Sequence, residues 1–203
     1  MEQKSNKNIV TEFYRNVVRL RKSEMIADYV HENYIQHSPM GKDGREGLFE
    51  MVEFLKKLPP VEETTPSPIV NLIAEDDYVV AHLDIHFMGK HIRVIELFRV
   101  QHGLAAEHWD VTEEPTGKNE PVINIKGLIN EVGLRDNEYI IDLYSKIDDV
   151  IIHHLIAVHA ELKQAGKSTA LFDIFKMKDR QITEHHYVKQ VVPEKMMHNN
   201  GMF

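Results

Sequence analysis

The chain has 203 residues, no cysteine, and a formal net charge of −8 from 32 acidic and 24 basic residues. The lack of cysteine excludes disulfides, thiol catalysis and thiolate metal sites, and the acidic balance disfavours nucleic acid, whose phosphates are bound by lysine and arginine. No apolar run approaches the about 20 residues that span a bilayer, and the polar start lacks the apolar core of a secretory signal. We therefore expect a cytoplasmic protein that binds neither membranes nor nucleic acid.

The N-terminal third predicts three helices. Apolar residues recur at helical spacing over residues 6–21, and Ser23 is placed to cap a shorter helix that ends near Val30. A third helix is expected from Asp43 or Gly44 to Lys57, because two prolines follow it. Six apolar residues are expected on its buried side: Leu48, Phe49, Met51, Val52, Phe54 and Leu55.

After Pro66 the pattern is typical of strands. Runs of β-branched and aromatic residues alternate with turn residues such as Gly89 and Gly103. The fold class predicted is α+β, with N-terminal helices packed on a curved antiparallel sheet that can enclose a pocket. Four strands are predicted, at residues 68–74, 78–88, 91–101 and 104–112.

The same strand pattern occurs twice along the chain. Residues 76–82 and 107–110 correspond to residues 148–154 and 184–187, with an offset that grows from 72 to 77 residues around a predicted hairpin tip. Hairpin tips tolerate such insertions. We expect a first domain at 1–114 and, at 115–203, a degenerate partial repeat, mainly β and packed on the first. That second part is predicted to contain a short helix at 123–132, a strand at 139–145 and three strands at 148–158, 168–177 and 181–189.

The first copy carries the residues suited to chemistry. His108 and Asp110 lie two apart on a strand, so they project to one face, while Glu107 and Trp109 project to the other. A carboxyl whose pKa is raised in an apolar pocket can both take and return a proton. The competing interpretation is that Asp110 only forms a structural hydrogen bond. In the second copy Tyr187 replaces the acid, which predicts a scaffold there.

Histidines on the preceding strand leave two readings open. His82, Asp84 and His86 share one face, which either lines the cavity or faces solvent. A metal held by His82 and His86 is disfavoured, because four residues of strand separate them by about 13 Å at about 3.3 Å per residue. We therefore expect no metal ion and no organic cofactor.

Several short motifs resemble one family. They are YIQHSP at 34–39, DGREG at 43–47, EHWD at 107–110, and a tail with VPE at 192–194 and NNGMF at 199–203. Together they resemble the SnoaL-like polyketide cyclases of the nuclear-transport-factor-two-like superfamily. The resemblance implies a cofactor-independent aldol-type cyclase, lyase or isomerase with Asp110 as general acid/base. For such an enzyme we further expect His108 and His82 to be catalytic and Tyr34, His37, His86, Phe98 and Trp109 to bind substrate.

Two functions stay open at this point, because the same fold also hosts plain binding modules. The first is an enzyme acting on a small apolar or carbonyl-containing molecule; the second is a non-catalytic ligand-binding or assembly module, and a homodimer is compatible with both. For the enzyme we expect five residues to border one cavity between the first sheet and the helices: Asp110, His108, His82, His37 and Tyr34.

Overall fold

A computed structural model describes residues 5–62, 64–115, 155–164, 166–178 and 181–203. The helix predicted at 123–132 and the strand predicted at 139–145 lie outside these residues. In the described part of the chain, no helix is long and apolar enough to cross a membrane. The helices are α1 (Asn6–Phe13), a π-helix (Tyr14–Arg19), a 3₁₀-helix (Ser23–Met25), α2 (Ile26–Tyr29) and α3 (Gly44–Leu55).

Local chemistry shapes the helical part in ways that differ from the predictions. Ser5 caps α1. The sequence predicts one continuous α-helix over residues 6–21, but after Phe13 the helix continues as the π-helix. Ser23 does not cap its helix; its hydroxyl instead donates to Glu53 Oε1 at 2.7 Å. Of the six apolar residues expected on the buried side of α3, Leu48 and Val52 are buried. The other four are not fully buried, and Phe49 is 45% exposed.

The first sheet has five strands in the order β1-β5-β4-β3-β2. Strands β2 to β5 form the predicted antiparallel meander, whereas β1 was predicted as the end of a helix and a loop and instead pairs parallel to β5. This strand is β1 (Val30–Gln36), and the meander strands are β2 (Ile69–Glu75), β3 (Tyr78–Phe87), β4 (Lys90–Gln101) and β5 (Leu104–Glu113).

The second sheet is an antiparallel meander in the order β6-β7-β8. Its strands are β6 (Leu155–Gln164), β7 (Lys167–Lys178) and β8 (Gln181–Val191). The first of them was predicted at 148–158, of which residues 148–154 lie outside the described residues. It ends later than predicted, because the hairpin turns only at Gly166, which has a φ of 76°. The α+β class and the additional antiparallel sheet are confirmed.

The first sheet is covered on both faces. Alternate residues such as Val79 and Phe98 pack with the helices. The residues of opposite parity, among them Val80, Ile95 and Val111, form one core with the second sheet. The members that the second sheet and its tail contribute are Ala170, Phe172, Ile174, Val188 and Met202. A polar side chain therefore meets either the helices or the second sheet, depending on its parity.

Candidate functional site

A polar cluster lies on the helix-facing side of the first sheet, where β1, β5 and β4 run side by side. The register places Glu96 opposite Asp110 and Phe98 opposite His108, and Gln36 of β1 pairs with His108 on the other edge of β5. Residues opposite each other in neighbouring strands point to the same face. Two carboxyls, an imidazole, an amide and an aromatic ring are thereby brought together.

His108 is held in a defined orientation. Its Nδ1 lies 2.8 Å from Gln36 Oε1, and because an amide oxygen only accepts, Nδ1 carries the hydrogen. Gln36 Oε1 also accepts from the backbone N–H of Ser38 at 3.0 Å, which fixes the amide orientation. The other ring nitrogen, Nε2, lies 3.4 Å from Glu96 Oε2. Nε2 is therefore the atom of His108 that can gain or lose a proton.

Burial perturbs the pKa of both carboxyls. It raises the pKa of Glu96 above the ordinary value, against the lowering effect of His108. Burial likewise raises the pKa of Asp110, although His108, a hydrogen bond from Ser38 and His198 oppose the rise. Burial alone would lower the pKa of His108, but the contact with Glu96 and the charges of Glu96 and Asp110 outweigh it and raise that pKa. All three groups therefore hold protons at a higher pH than they would in water.

Tyr34 supplies a neutral hydroxyl beside this cluster. Burial, and then the charge of Asp110, raise the pKa of its phenol, so the hydroxyl stays protonated. Its oxygen accepts from Gln36 Nε2 at 3.2 Å. Since the oxygen already accepts from Gln36, the Tyr34 hydrogen is available to a further acceptor.

Two buried atoms of the cluster have no hydrogen-bond partner among the residues that the structure describes. They are Asp110 Oδ1 and His108 Nε2. Glu96, His108 and Asp110 also bring ligand atoms within 4.8 Å of one another. One imidazole and two carboxylates suit zinc or non-haem iron, so among the described residues these three could hold a metal ion. Equally, the two atoms can face the reacting groups of a small molecule.

The expectation of one cavity bordered by five residues is wrong for His82 and His37. His82 pairs with Ile95, so it faces the second sheet, where its ring lies 5.3 Å from that of His186. Burial, then the charges of His186 and Arg93, lower the pKa of His82 to about 4. The backbone of His37 contacts β5, but its ring also lies on the side of the second sheet.

Trp109 and His86 lie away from the cluster as well. The Trp109 ring stacks on His37 at 4.7 Å and packs in the core between the sheets, as its parity opposite to Asp110 requires. His86 is exposed near the end of β3 and stacks on His91 at 4.6 Å. Phe98 does lie in the cluster, with its ring 4.6 Å from that of His108. Of the predicted site residues, Asp110, His108, Tyr34 and Phe98 are therefore together.

Sequence reasoning missed Glu96, Gln36 and Ser38. Glu96 lies among apolar residues of β4, a position where an acid is costly without a partner, and this was a usable signal. Gln36 lies in the motif between Tyr34 and His37, where the sequence predicts a loop. Its role depends on the parallel pairing of β1 with β5, a contact between residues about 70 positions apart.

The fold and this cluster define an α+β domain whose five-stranded sheet carries buried ionisable residues on the face turned to its helices. Residues 10–108 match the family described as SnoaL-like domain. Just under half of the chain therefore has the sequence pattern of the SnoaL-like family. No curated protein matches the chain.

Solved structures with low sequence identity are similar to it. A candidate polyketide cyclase from Acidithiobacillus ferrooxidans shares 22% identity, covers 56% of this chain and 92% of its own, and has a TM-score of 0.43. IdmH from Streptomyces antibioticus, also a candidate polyketide cyclase, shares 17% sequence identity. The match covers 54% of this chain and 93% of IdmH, with a TM-score of 0.41. An NTF2-like protein of unknown function from Cytophaga hutchinsonii shares 18% sequence identity. The match covers 56% of this chain and 95% of that protein, with a TM-score of 0.43.

Proposed function

We propose that this protein is a cofactor-independent enzyme, an aldol-type cyclase, lyase or isomerase, that acts on a small carbonyl compound with Asp110 as general acid/base. The observation that carries the proposal is a buried carboxyl with a raised pKa and an unpartnered oxygen, beside a histidine of fixed tautomer. A carboxyl whose pKa is raised binds a proton more strongly than an ordinary one, which suits the taking and returning of a proton in acid/base catalysis. A histidine and a carboxyl that only stabilised the fold would be expected to satisfy each other's polar atoms.

The chemistry follows from the positions of the groups. Asp110 takes a proton from the carbon next to a carbonyl group, and the electron pair moves to the carbonyl oxygen to form an enolate. Protonated His108 Nε2 and the Tyr34 hydroxyl stabilise the negative charge on that oxygen. The enolate carbon attacks a second carbonyl carbon of the same molecule, and the new alkoxide takes the proton back from Asp110. A new C–C bond and a hydroxyl result, with no net gain or loss of protons.

Glu96 supports this cycle without touching the substrate. It lies 3.4 Å from His108 Nε2 and, with Asp110, raises the pKa of His108. It thereby keeps the imidazole protonated while Asp110 is ionised. The two forms that catalysis requires, anionic Asp110 and cationic His108, then coexist over a range of pH, and the rate is expected to follow a bell-shaped pH profile.

Proton abstraction can be tested without the natural substrate. We would incubate the protein with aliphatic and aromatic methyl ketones in D₂O and follow the loss of the α-proton signal by NMR. Asp110→Asn keeps the shape but cannot cycle a proton, so the exchange rate should fall by about 10²-fold or more. The matched control is Asp84→Asn, at an exposed carboxyl that contacts His91 on the same sheet. Exchange that is equally fast in Asp110→Asn and the wild type would refute the proposal.

A non-catalytic binding module is the outcome opposed to this proposal. It predicts that ketones bind, with shifts in the His108 signals, but that the wild type does not accelerate exchange. The proposed organisation is a catalytic domain at 1–114 and a second, mainly β part at 115–203. The core shared by the two sheets supports this division, because the second sheet packs on the face of the first that does not carry the cluster.

A further inference from the structure

The C-terminal tail runs from β8 back to the end of β1. Four hydrogen bonds join it to four consecutive residues there. His198 Nε2 donates to the Ser38 carbonyl at 2.8 Å, and Asn200 Nδ2 donates to the Gln36 carbonyl at 2.9 Å. The carbonyl of Gly201 accepts from His37 Nδ1 at 2.9 Å, and the backbone N–H of Met197 donates to Pro39 at 3.4 Å.

Two of those consecutive residues are partners of the polar cluster. Gln36 orients His108 through its side-chain oxygen, and the backbone N–H of Ser38 donates to that same oxygen at 3.0 Å. Ser38 also lies close enough to Asp110 to oppose the rise in the pKa of that carboxyl. The tail binds the backbone carbonyl of each. It thus lies outside the cluster but binds the residue that orients His108 and the neighbouring Ser38, which lies beside Asp110.

The far end of the tail is fixed in the core between the sheets. Met202 is 1% exposed in that core, and Phe203 stacks on His159 with the ring centroids 5.2 Å apart. Gly201 has a φ of 77°, a conformation that favours glycine, and this turn aims its carbonyl at His37. Because both ends are anchored, the hydrogen bonds to Gln36 and Ser38 are formed by a preorganised segment.

His198 has a defined tautomer in this arrangement. Its Nδ1 accepts from the backbone N–H of Asn200 at 3.2 Å, so the hydrogen is on Nε2, which donates to Ser38. His198 is also close enough to Asp110 to oppose the rise in its pKa. The titratable groups that act on Asp110 among the described residues are His108 of its own strand, Glu96 of β4, Tyr34 of β1 and His198 of the tail.

We infer that residues 196–203 complete the active site, with His198 and Asn200 as positioning residues that fix Ser38 and Gln36, and through them the orientation of His108 and the surroundings of Asp110. The inference rests on the proposed function for its catalytic meaning. It gives the second sheet a role beyond stabilisation, because the segment that positions Ser38 and Gln36 emerges from β8. A chain whose tail is displaced would keep Asp110 and His108 but would lose their orientation.

The test uses the full chain and needs no substrate. Carboxyl ¹³C NMR would follow the titration of Asp110 in His198→Phe, which keeps a ring but loses the bond to Ser38. The midpoint of the Asp110 titration should shift to higher pH. His198, which favours the ionised carboxyl, is lost, and Ser38, which also favours it, is displaced. His198→Gln can still donate to the Ser38 carbonyl and should restore most of the wild-type midpoint. Lys189→Ala, at an exposed residue of β8, is the control and should not shift it.

A second variant covers the case in which His198→Phe does not fold. Asn200→Ala removes the bond to the Gln36 carbonyl, and the ¹⁵N signals of His108 should then show a looser or altered Nδ1 hydrogen bond. If the titrations of Asp110 and His108 in folded variants match the wild type, the inference is wrong. Failure of ketone exchange in the wild type would refute the proposed function and leave these titrations valid.

Discussion

Phe172→Ala tests whether the two sheets fold as one unit. Phe172 is 1% exposed, lies in the core with Val80, Ile95 and Val111 of the first sheet, and stacks on His159 at 4.2 Å. Truncating a phenylalanine in such a core costs about 3–5 kcal/mol, because transfer free energy is lost and a cavity remains. The expected loss is a large part of a typical total stability of about 5–15 kcal/mol.

The single tryptophan makes this loss measurable from the opposite sheet. Trp109 belongs to β5 but packs in the same core, so its fluorescence reports the unfolding of the first sheet. Urea unfolding followed by fluorescence and by far-UV circular dichroism should give one coincident transition, displaced by the full amount in Phe172→Ala. Lys189→Ala, at an exposed residue of the same sheet, should change stability by less than about 0.5 kcal/mol. A Trp109 transition that does not move in Phe172→Ala would refute the shared core.

Two further predictions concern the same interface. The pKa of His82 is lowered to about 4, so its contribution to stability is present above the unfolded pKa of about 6.5 and is lost as the pH falls through about 4. His82→Gln should therefore lose less stability than the wild type between pH 6.5 and 4 in urea titrations, whereas His86→Gln, at an exposed histidine of the same strand, should follow the wild type. A chain ending at Glu114 should melt at a lower temperature and self-associate, because Val80, Ile95 and Val111 lose their cover. If it is monomeric in ultracentrifugation and melts like the full chain, the second sheet does not complete the fold.

The strands of the meander could be predicted because their signals are local. Alternating β-branched residues and the turns at Gly89 and Gly103 place β2 to β5 within one or two residues of their observed bounds. Strand β1 carries no such signal, since its sequence VHENYIQ mixes charged and apolar residues directly after a helix. It becomes a strand by pairing with β5. A pairing between distant segments is decided by tertiary contacts and not by local propensity.

The candidate site was predicted within one strand but not across strands. Alternation correctly places His108 and Asp110 on one face, because the period of two holds inside any strand. It does not show which residues of β3 and β4 share that face. The register answers this by setting Glu96 opposite Asp110 and His82 opposite Ile95. A shift of one residue would exchange the two sets, so the sequence could not assign His82 to a face.

The EHWD motif combines two functions that alternate along β5. His108 and Asp110 form the polar cluster on the face of the helices, whereas Glu107 and Trp109 hold His37 on the face of the second sheet. Glu107 is itself bound by Arg99 at 2.8 Å, and His37 in turn binds the tail through Gly201. Consecutive residues of one strand thus supply both the proposed acid/base pair and, through His37, a binding point for the tail. Any shift in the register of β5 would therefore disturb both faces together.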